Sequence, residues 1–322
     1  MKTVIVSVYI GELPGHFDLW MRSAGLNPAF EFLIITDQAA PASAPSNVRF
    51  WHRELEELKD FWSQSLGLNA ALSDPYKLND FKPLFWMLVD NLDDYDYWGF
   101  CDLDTLLGDL SGSISPRLGN YDAILSEGHL RLFRNRPEMH RLWEKVASPM
   151  SGRNILARPG FFGMDEHSGI NKPLMEGNYG WFSDPPLVAD IDPSFRRFRC
   201  LPFHENDRHQ AFFWQDGKVF RESIRDGVYQ LSEYAYIHFQ KRKMHFNPQC
   251  LHADAVDIGP GGFSVRDDSK ASVADIDRRN PPTIFPNLSE ARILAKELRR
   301  RLTGATVPFP SLDRPDRAGE SA

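Results

Sequence analysis

Apolar positions fall into short runs near the N-terminus and into helical or alternating spacings further along. Val4 to Ile10 is an apolar run of the kind expected for a strand covered on both faces. Gly11 to Gly15 reads as the loop at its C-terminal end. Phe17, Leu19, Trp20 and Ala24 follow a helical spacing, and Phe30 to Asp37 reads as a second strand. Strand, helix and strand in that order predict a βαβ opening. Val48 to His52 predicts a short third strand, and Glu54 to Leu66 a helix. Leu78, Phe81, Leu84, Phe85, Leu88 and Leu92 predict a further helix that starts near Asp74-Pro75, with Pro83 as a kink. Its other face carries Lys77 and Asp80, with Lys82 nearby. It runs into Asp96 to Asp104, a short buried strand that ends in two acids.

Later elements are shorter. Tyr121 to Ser126 predicts a strand, and Gly128 to Asn135 alternates as a half-buried strand would. Pro137 to Val146 predicts a helix. Residues 147–195 are rich in Gly, Pro, Ser and Asn, a composition typical of functional loops. Val219 to Glu222 and Tyr236 to Phe239 read as late strands. Residues 266–287 form a polar, Pro-containing connection, 288–302 a basic amphipathic helix, and 303–322 have the composition of a disordered tail. The expected organisation is one domain over 1–265 with that C-terminal extension.

Composition narrows the classes. A chain of 322 residues with 42% hydrophobic and 12% aromatic content can bury a sizeable core. A net charge of −7 argues against wholesale nucleic-acid binding. Cys101, Cys200 and Cys250 make an odd count without CxxC spacing, which argues against a disulfide framework or a thiolate zinc site. The first ten residues suit a core strand better than a signal peptide, and no run of 18 apolar residues occurs. A reducing, cytoplasmic setting is the simplest expectation.

The candidate chemistry centres on Asp102 and Asp104. Residues two apart on a strand point the same way, so their carboxylates repel unless a cation or solvent lies between them. A divalent metal there could take a diphosphate as its remaining ligands. The Asp-x-Asp pattern alone is weak, since Asp94/Asp96, Asp190/Asp192 and Asp275/Asp277 repeat it. Only Asp102/Asp104 follows an apolar, aromatic strand; the others read as solvated turns. His238 ends another apolar strand and is a candidate third ligand, in a carboxylate–imidazole set that suits Mn²⁺ or Mg²⁺. Lys241, Arg242 and Lys243 follow it and could neutralise a diphosphate leaving group.

A strand running into Asp-x-Asp, after a helix with a charged face and before a late His-x-x-Lys strand end, resembles the GT-A class of nucleotide-sugar glycosyltransferases. More narrowly, Pro75 to Pro83, Tyr97 to Asp104, and Gly128-His129 with Phe133-Arg134-Asn135 resemble an uncharacterised bacterial family of polysaccharide glycosyltransferases. Phe17 to Trp20 and Phe32 to Asp37 are similar too, and the likeness spans roughly residues 3–245. The resemblance implies a GT-A-like α/β fold with a mixed, mainly parallel sheet flanked by helices. It also implies a UDP- or GDP-sugar donor and a glycan or lipid-linked glycan acceptor. Asp102, Asp104 and His238 would hold the metal. Thr36, Asp37, Lys77, Asp80, Asp102, Lys241 and Lys243 would meet the donor, and His129 and Arg134 the acceptor. Asp165 and Glu166 would supply the general base. The QxxRW of processive synthases is missing, which weighs against polymerisation.

Two rivals remain at this level. Asp102-Leu103-Asp104-Thr105 also resembles the first motif of HAD-type phosphatases, though the usual Gly is absent and about 100 residues precede it. A non-catalytic glycan- or nucleotide-binding protein on the same fold is the other. The C-terminal helix carries Leu288, Ala291, Leu294, Ala295, Leu298 and Leu302 on one stripe, with Arg292, Lys296, Arg299, Arg300 and Arg301 beside it. Such a helix either packs its stripe on its own domain or lies on an anionic membrane surface. The packed arrangement is the simpler expectation.

Overall fold

The computed structural model describes residues 1–147, 150–166, 169–201, 206–240, 242–267, 272–283, 288–303 and 312–315. The chain opens as the pattern predicts, with β1 (Thr3–Tyr9), helix α1 (Phe17–Gly25) and β2 (Phe30–Thr36). Strand β3 (Val48–His52) and helix α2 (Leu55–Leu66) follow. Glu54 caps α2 through a reciprocal bond with Glu57, and Gly67 closes it in the left-handed region at φ 57°. Next come β4 (Tyr97–Cys101), β5 (Thr105–Leu107), β6 (Ala123–Ile124), β7 (Leu130–Arg134), β8 (Trp181–Ser183) and β9 (Val188–Asp190). The last strands are β10 (His209–Gln215), β11 (Lys218–Arg225), β12 (Val228–Tyr234), β13 (Tyr236–His238), β14 (Ala255–Gly259), β15 (Gly262–Val265) and β16 (Leu312–Arg314).

The main sheet has the order β16-β8-β6-β7-β4-β1-β2-β3. Strands β4, β1, β2 and β3 run parallel, whereas β7 is antiparallel to both β4 and β6. This is the mixed α/β sheet flanked by helices that the sequence predicts. Alternation assigns its two faces. Val4, Val6, Trp98 and Phe100 join Trp62, Phe81 and Trp181 on one side, whereas Ile5, Tyr97, Phe32 and Trp20 form the core on the other. Strands β12-β11-β10-β14-β15 make a second, antiparallel sheet over a third core around Trp214 and Phe212. Sequence patterning had shown only β11 of that sheet. A small sheet, β5-β13-β9, joins the two.

Several boundaries differ from expectation. The helix expected from Leu78 to Leu92 is broken into turns at Pro75–Lys77, Leu78–Phe81 and Lys82–Leu88. Pro83 removes an amide donor inside the periodic stretch, and the chain tightens to a 3-10 geometry there. The segment 137–146 likewise splits, into Pro137–His140 and Leu142–Lys145. Within the expected tail, β16 adds to the edge of the main sheet against β8, and Tyr121 donates its hydroxyl to Asp313. The C-terminal helix Leu288–Thr303 buries Glu290 and leaves Leu288, Leu294, Leu298 and Leu302 in solvent, so the packed-stripe expectation does not hold. Among the described residues, no helix is long and apolar enough to cross a membrane.

Candidate functional site

The C-terminal ends of β1 and β4 open onto a cleft of about 1130 Å³, the position where open α/β sheets bind ligands. Asp102 and Asp104 leave β4 on a turn locked at both ends. The Asp102 amide donates to the His129 carbonyl at 2.8 Å, and the Phe239 amide donates to the Asp104 carbonyl at 2.9 Å. The Thr105 hydroxyl closes the turn on the Asp102 carbonyl at 2.7 Å. Strand β5 then runs antiparallel to β13, with Thr105 opposite His238, and β9 runs parallel to β13, with Asp190 opposite His238. Register alone therefore brings Asp104, His238 and Asp190 together.

His238 Nε2 lies 3.4 Å from Asp104 Oδ1, and its Nδ1 lies 2.8 Å from Asp190 Oδ1. Burial disfavours the imidazolium, but the two carboxylates outweigh it and raise His238 to about 10. Asp104 is held below its ordinary value despite burial, because His238 faces it. Asp190 is also driven down against its burial, by His129 and His238. A carboxylate on Nδ1 turns Nε2 toward the cleft, the arrangement that orients metal-binding histidines. The donor atoms of Asp102, Asp104 and His238 all lie within 4.8 Å of one another. Two carboxylates and one imidazole, oriented by Asp190, fit Mn²⁺ or Mg²⁺ with positions left for phosphate oxygens.

The cation beside Asp102 is Lys82. Its ammonium lies 2.7 and 2.8 Å from the two Asp102 oxygens, 2.8 Å from the Gly128 carbonyl and 3.2 Å from Asp165. Burial works against the ammonium, yet Asp102 and Asp165 hold its pKa above the ordinary value. Asp165 is buried too, and burial pushes its carboxyl up to about 7, with Lys82 opposing and Glu166 and Asp102 adding to the rise. Its Oδ1 has no hydrogen-bond partner among the described residues. Gly128 leaves room for this pair, since a Cβ there would stand 2.7 Å from Asp165 Oδ2 and 2.8 Å from Glu166 Cγ.

Of the residues singled out in the sequence, Asp102, Asp104, His238, Asp165, Glu166, His129 and Lys243 line this one cleft. Lys241 lies outside the described residues. Five others are placed elsewhere. Lys77 and Asp80 are fully buried and bind each other at 2.7 Å. The Lys77 ammonium spends its other protons on the Ile155 and Gly160 carbonyls, and Asp80 accepts from the Phe162 and Met164 amides. The pair therefore holds the 160–164 loop that leads to Asp165, and has no charge free for a donor. Thr36 and Asp37 are not among the residues that line the cleft. Asp37 accepts from the Gly11 amide at 2.9 Å and so shapes the loop after β1 that borders the cleft. Arg134 donates to Tyr97 and to the Gly119 carbonyl, away from the cleft. His129 reaches the cleft, yet Nδ1 lies 2.7 Å from the Tyr236 hydroxyl, Nε2 lies 3.6 Å from Asp190, and its ring stacks on His238 at 4.1 Å. Its ring therefore packs as a support for His238, while Nε2 is buried without a hydrogen-bond partner among the described residues.

Lys82 and Asp190 are the residues that sequence reading passed over. Lys82 had a signal, a lone cation within the motif that precedes the acidic strand. Asp190 belonged to an Asp-x-Asp read as a solvated turn, although Val188-Ala189 before it and Ile191 after it are apolar. It is only 6% exposed.

The model of DUF6625, a family of unknown function, matches residues 5–267. The chain belongs to that family. No curated protein matches it. Among solved structures, mouse xyloside xylosyltransferase 1 in its apo form is similar over 61% of this chain and 90% of that one, at 9% identity and a TM-score of 0.37. The apo-form glycosyltransferase GlyE of Streptococcus pneumoniae TIGR4 is similar over 59% of this chain and 47% of that one, at 14% identity and a TM-score of 0.32.

Proposed function

We propose that this member of DUF6625 transfers a sugar from a nucleoside-diphosphate donor, UDP- or GDP-linked, to a glycan hydroxyl, with Mn²⁺ or Mg²⁺ as cofactor. Bacterial surface polysaccharide is the product class that the sequence resemblance favours. One observation carries the proposal: Asp102 and Asp104 at the end of a central strand meet His238 from a distant strand, in a cleft at the ligand-binding edge of the sheet. Acidic side chains outnumber Lys and Arg among the residues lining that cleft. A phosphorylated donor would be repelled there without a bound cation.

Asp104 and His238 would hold the metal with Asp102 beside them, and Asp190 keeps Nε2 of His238 aimed at it. The bound ion would offset charge on the departing diphosphate. Lys82 holds Asp102 in place through both carboxylate oxygens, and Lys243 on the cleft rim offers a further cation to the phosphates. Asp165, poised near neutrality with Oδ1 unpartnered among the described residues, accepts the proton of the attacking hydroxyl, and Glu166 borders the same space.

A thermal-shift screen of UDP-, GDP-, CMP- and dTDP-sugars, with and without Mn²⁺, tests this on the wild type and Asp104→Ala. Binding to the native state raises the midpoint by mass action. The expected result is a Mn²⁺-dependent shift with one nucleotide that Asp104→Ala abolishes. Hydrolysis of p-nitrophenyl phosphate without any nucleotide shift would replace the proposal with the phosphatase reading, and binding without turnover would make it a binding protein.

A further inference from the structure

The C-terminal helix Leu288–Thr303 lies beyond the stretch matched by the family, which ends at residue 267. It borders the cleft through Ile293 and Lys296, and Glu290 anchors it by accepting from the Arg196 amide at 3.3 Å. At about 100° per residue, Leu294, Leu298 and Leu302 fall on one arc with Ala291, Ala295 and Leu288. That arc is turned away from Ile293 and Lys296, the residues that border the cleft. Leu288, Leu298 and Leu302 are 80%, 59% and 78% exposed, and Leu294 is 37% exposed. Arg292 and Arg299 border one edge of the arc, are exposed, and have no ion-pair partner among the described residues. The chain as a whole carries −7, whereas the helix has five basic and two acidic residues.

We infer that this helix lies flat on an anionic phospholipid bilayer, its leucines among the acyl chains and its arginines at the headgroups. An apolar arc edged by cations is the chemistry of an in-plane membrane helix. The opposite sign of the rest of the chain repels the bilayer and leaves this face as the one that docks. The same helix forms a wall of the cleft, so the bilayer lies about one helix diameter, roughly 10 Å, from the cleft edge. An acceptor held in the membrane by a lipid anchor is the substrate class such a cleft is placed to meet. That last consequence rests on the transferase proposal; the membrane contact does not.

Co-sedimentation with vesicles tests the contact, using phosphatidylcholine mixed with phosphatidylglycerol, and phosphatidylcholine alone. The wild type is expected to bind the mixed vesicles, less so as NaCl rises. Leu298→Glu/Leu302→Glu should lose about ten-fold or more in partitioning, and Leu231→Glu, an exposed leucine on β12, should behave as the wild type. Both altered leucines face solvent, and an unchanged thermal midpoint verifies the fold. A wild type that stays in the supernatant, or a double variant that binds equally, overturns the inference. So does a wild-type dimer in sedimentation equilibrium that the double variant loses, since a second copy of the chain would then be the occupant. A wild type that binds mixed vesicles but shows no nucleotide shift sinks the transferase proposal and leaves the membrane contact standing.

Discussion

Asp165→Asn is expected to make the protein more stable at alkaline pH while disabling it. The wild-type carboxyl is 2% exposed and rises from its ordinary 3.8 to about 7. Between those values the native state holds a proton that the unfolded state has released. Native stability from this group is therefore lost as pH rises from about 4 to 7. At about 1.4 kcal/mol per pH unit, the full cost is about 4 kcal/mol above pH 7. At pH 5 only about the first third of it applies. Asparagine keeps the shape, can turn its oxygen to Lys82, and does not ionise. Urea unfolding of wild type and variant at pH 5 and pH 8 should show the variant gaining about 2–3 kcal/mol relative to wild type between the two conditions. Titrating groups that do not touch Asp165 cancel in that difference. A pH-independent difference, or a variant that is weaker at pH 8, would refute the reasoning. Activity in the variant should fall by about 10²–10⁴, the usual contribution of a general base.

Asp190→Asn should weaken Mn²⁺ binding by about 10–100-fold, read by calorimetry, because His238 loses the group that orients it. Lys77→Met should cost about 3–5 kcal/mol in chemical unfolding by leaving Asp80 buried without its partner; Lys77→Met/Asp80→Leu should recover part of that loss. Gly128→Ala should depress activity far more than stability, because the added methyl displaces Asp165 and Glu166 at the cleft wall; equal activity in that variant would mean their positions are slack.

Strands β1, β2 and β4 were legible because they are buried along most of their length and announce themselves as apolar runs. The ends of β1, β4 and β13 could be read for the same reason, and with them Asp102, Asp104 and His238. Burial of charge was not legible. Lys77 and Asp80 sit three apart on one helical face, a spacing that fits a solvated pair or a ligand clamp as well as a buried strut. Only the approach of the 160–164 loop decides among them. Asp190 was hidden because β9 is three residues long and gains its meaning from its register with β13, a tertiary fact. Strand β12 was missed because it is exposed along most of its length and mixes apolar with polar positions; β10 was passed over although Ala211 to Trp214 is a buried apolar run, since polar residues close it at both ends. The leucine stripe was visible, but periodicity says which residues share a face and not which way that face turns.

The pairing of β5 with β13 has an evolutionary consequence. Asp104 and His238 are far apart in the chain, yet their spacing is set by main-chain ladder bonds between the strands that carry them. Side-chain identity in the intervening segments does not enter that spacing. Loops along that stretch can lengthen, shrink or exchange residues while the two side chains keep their spacing. A lineage built on this chain can therefore change the surroundings of the cleft without first rebuilding the Asp104–His238 pair at its base.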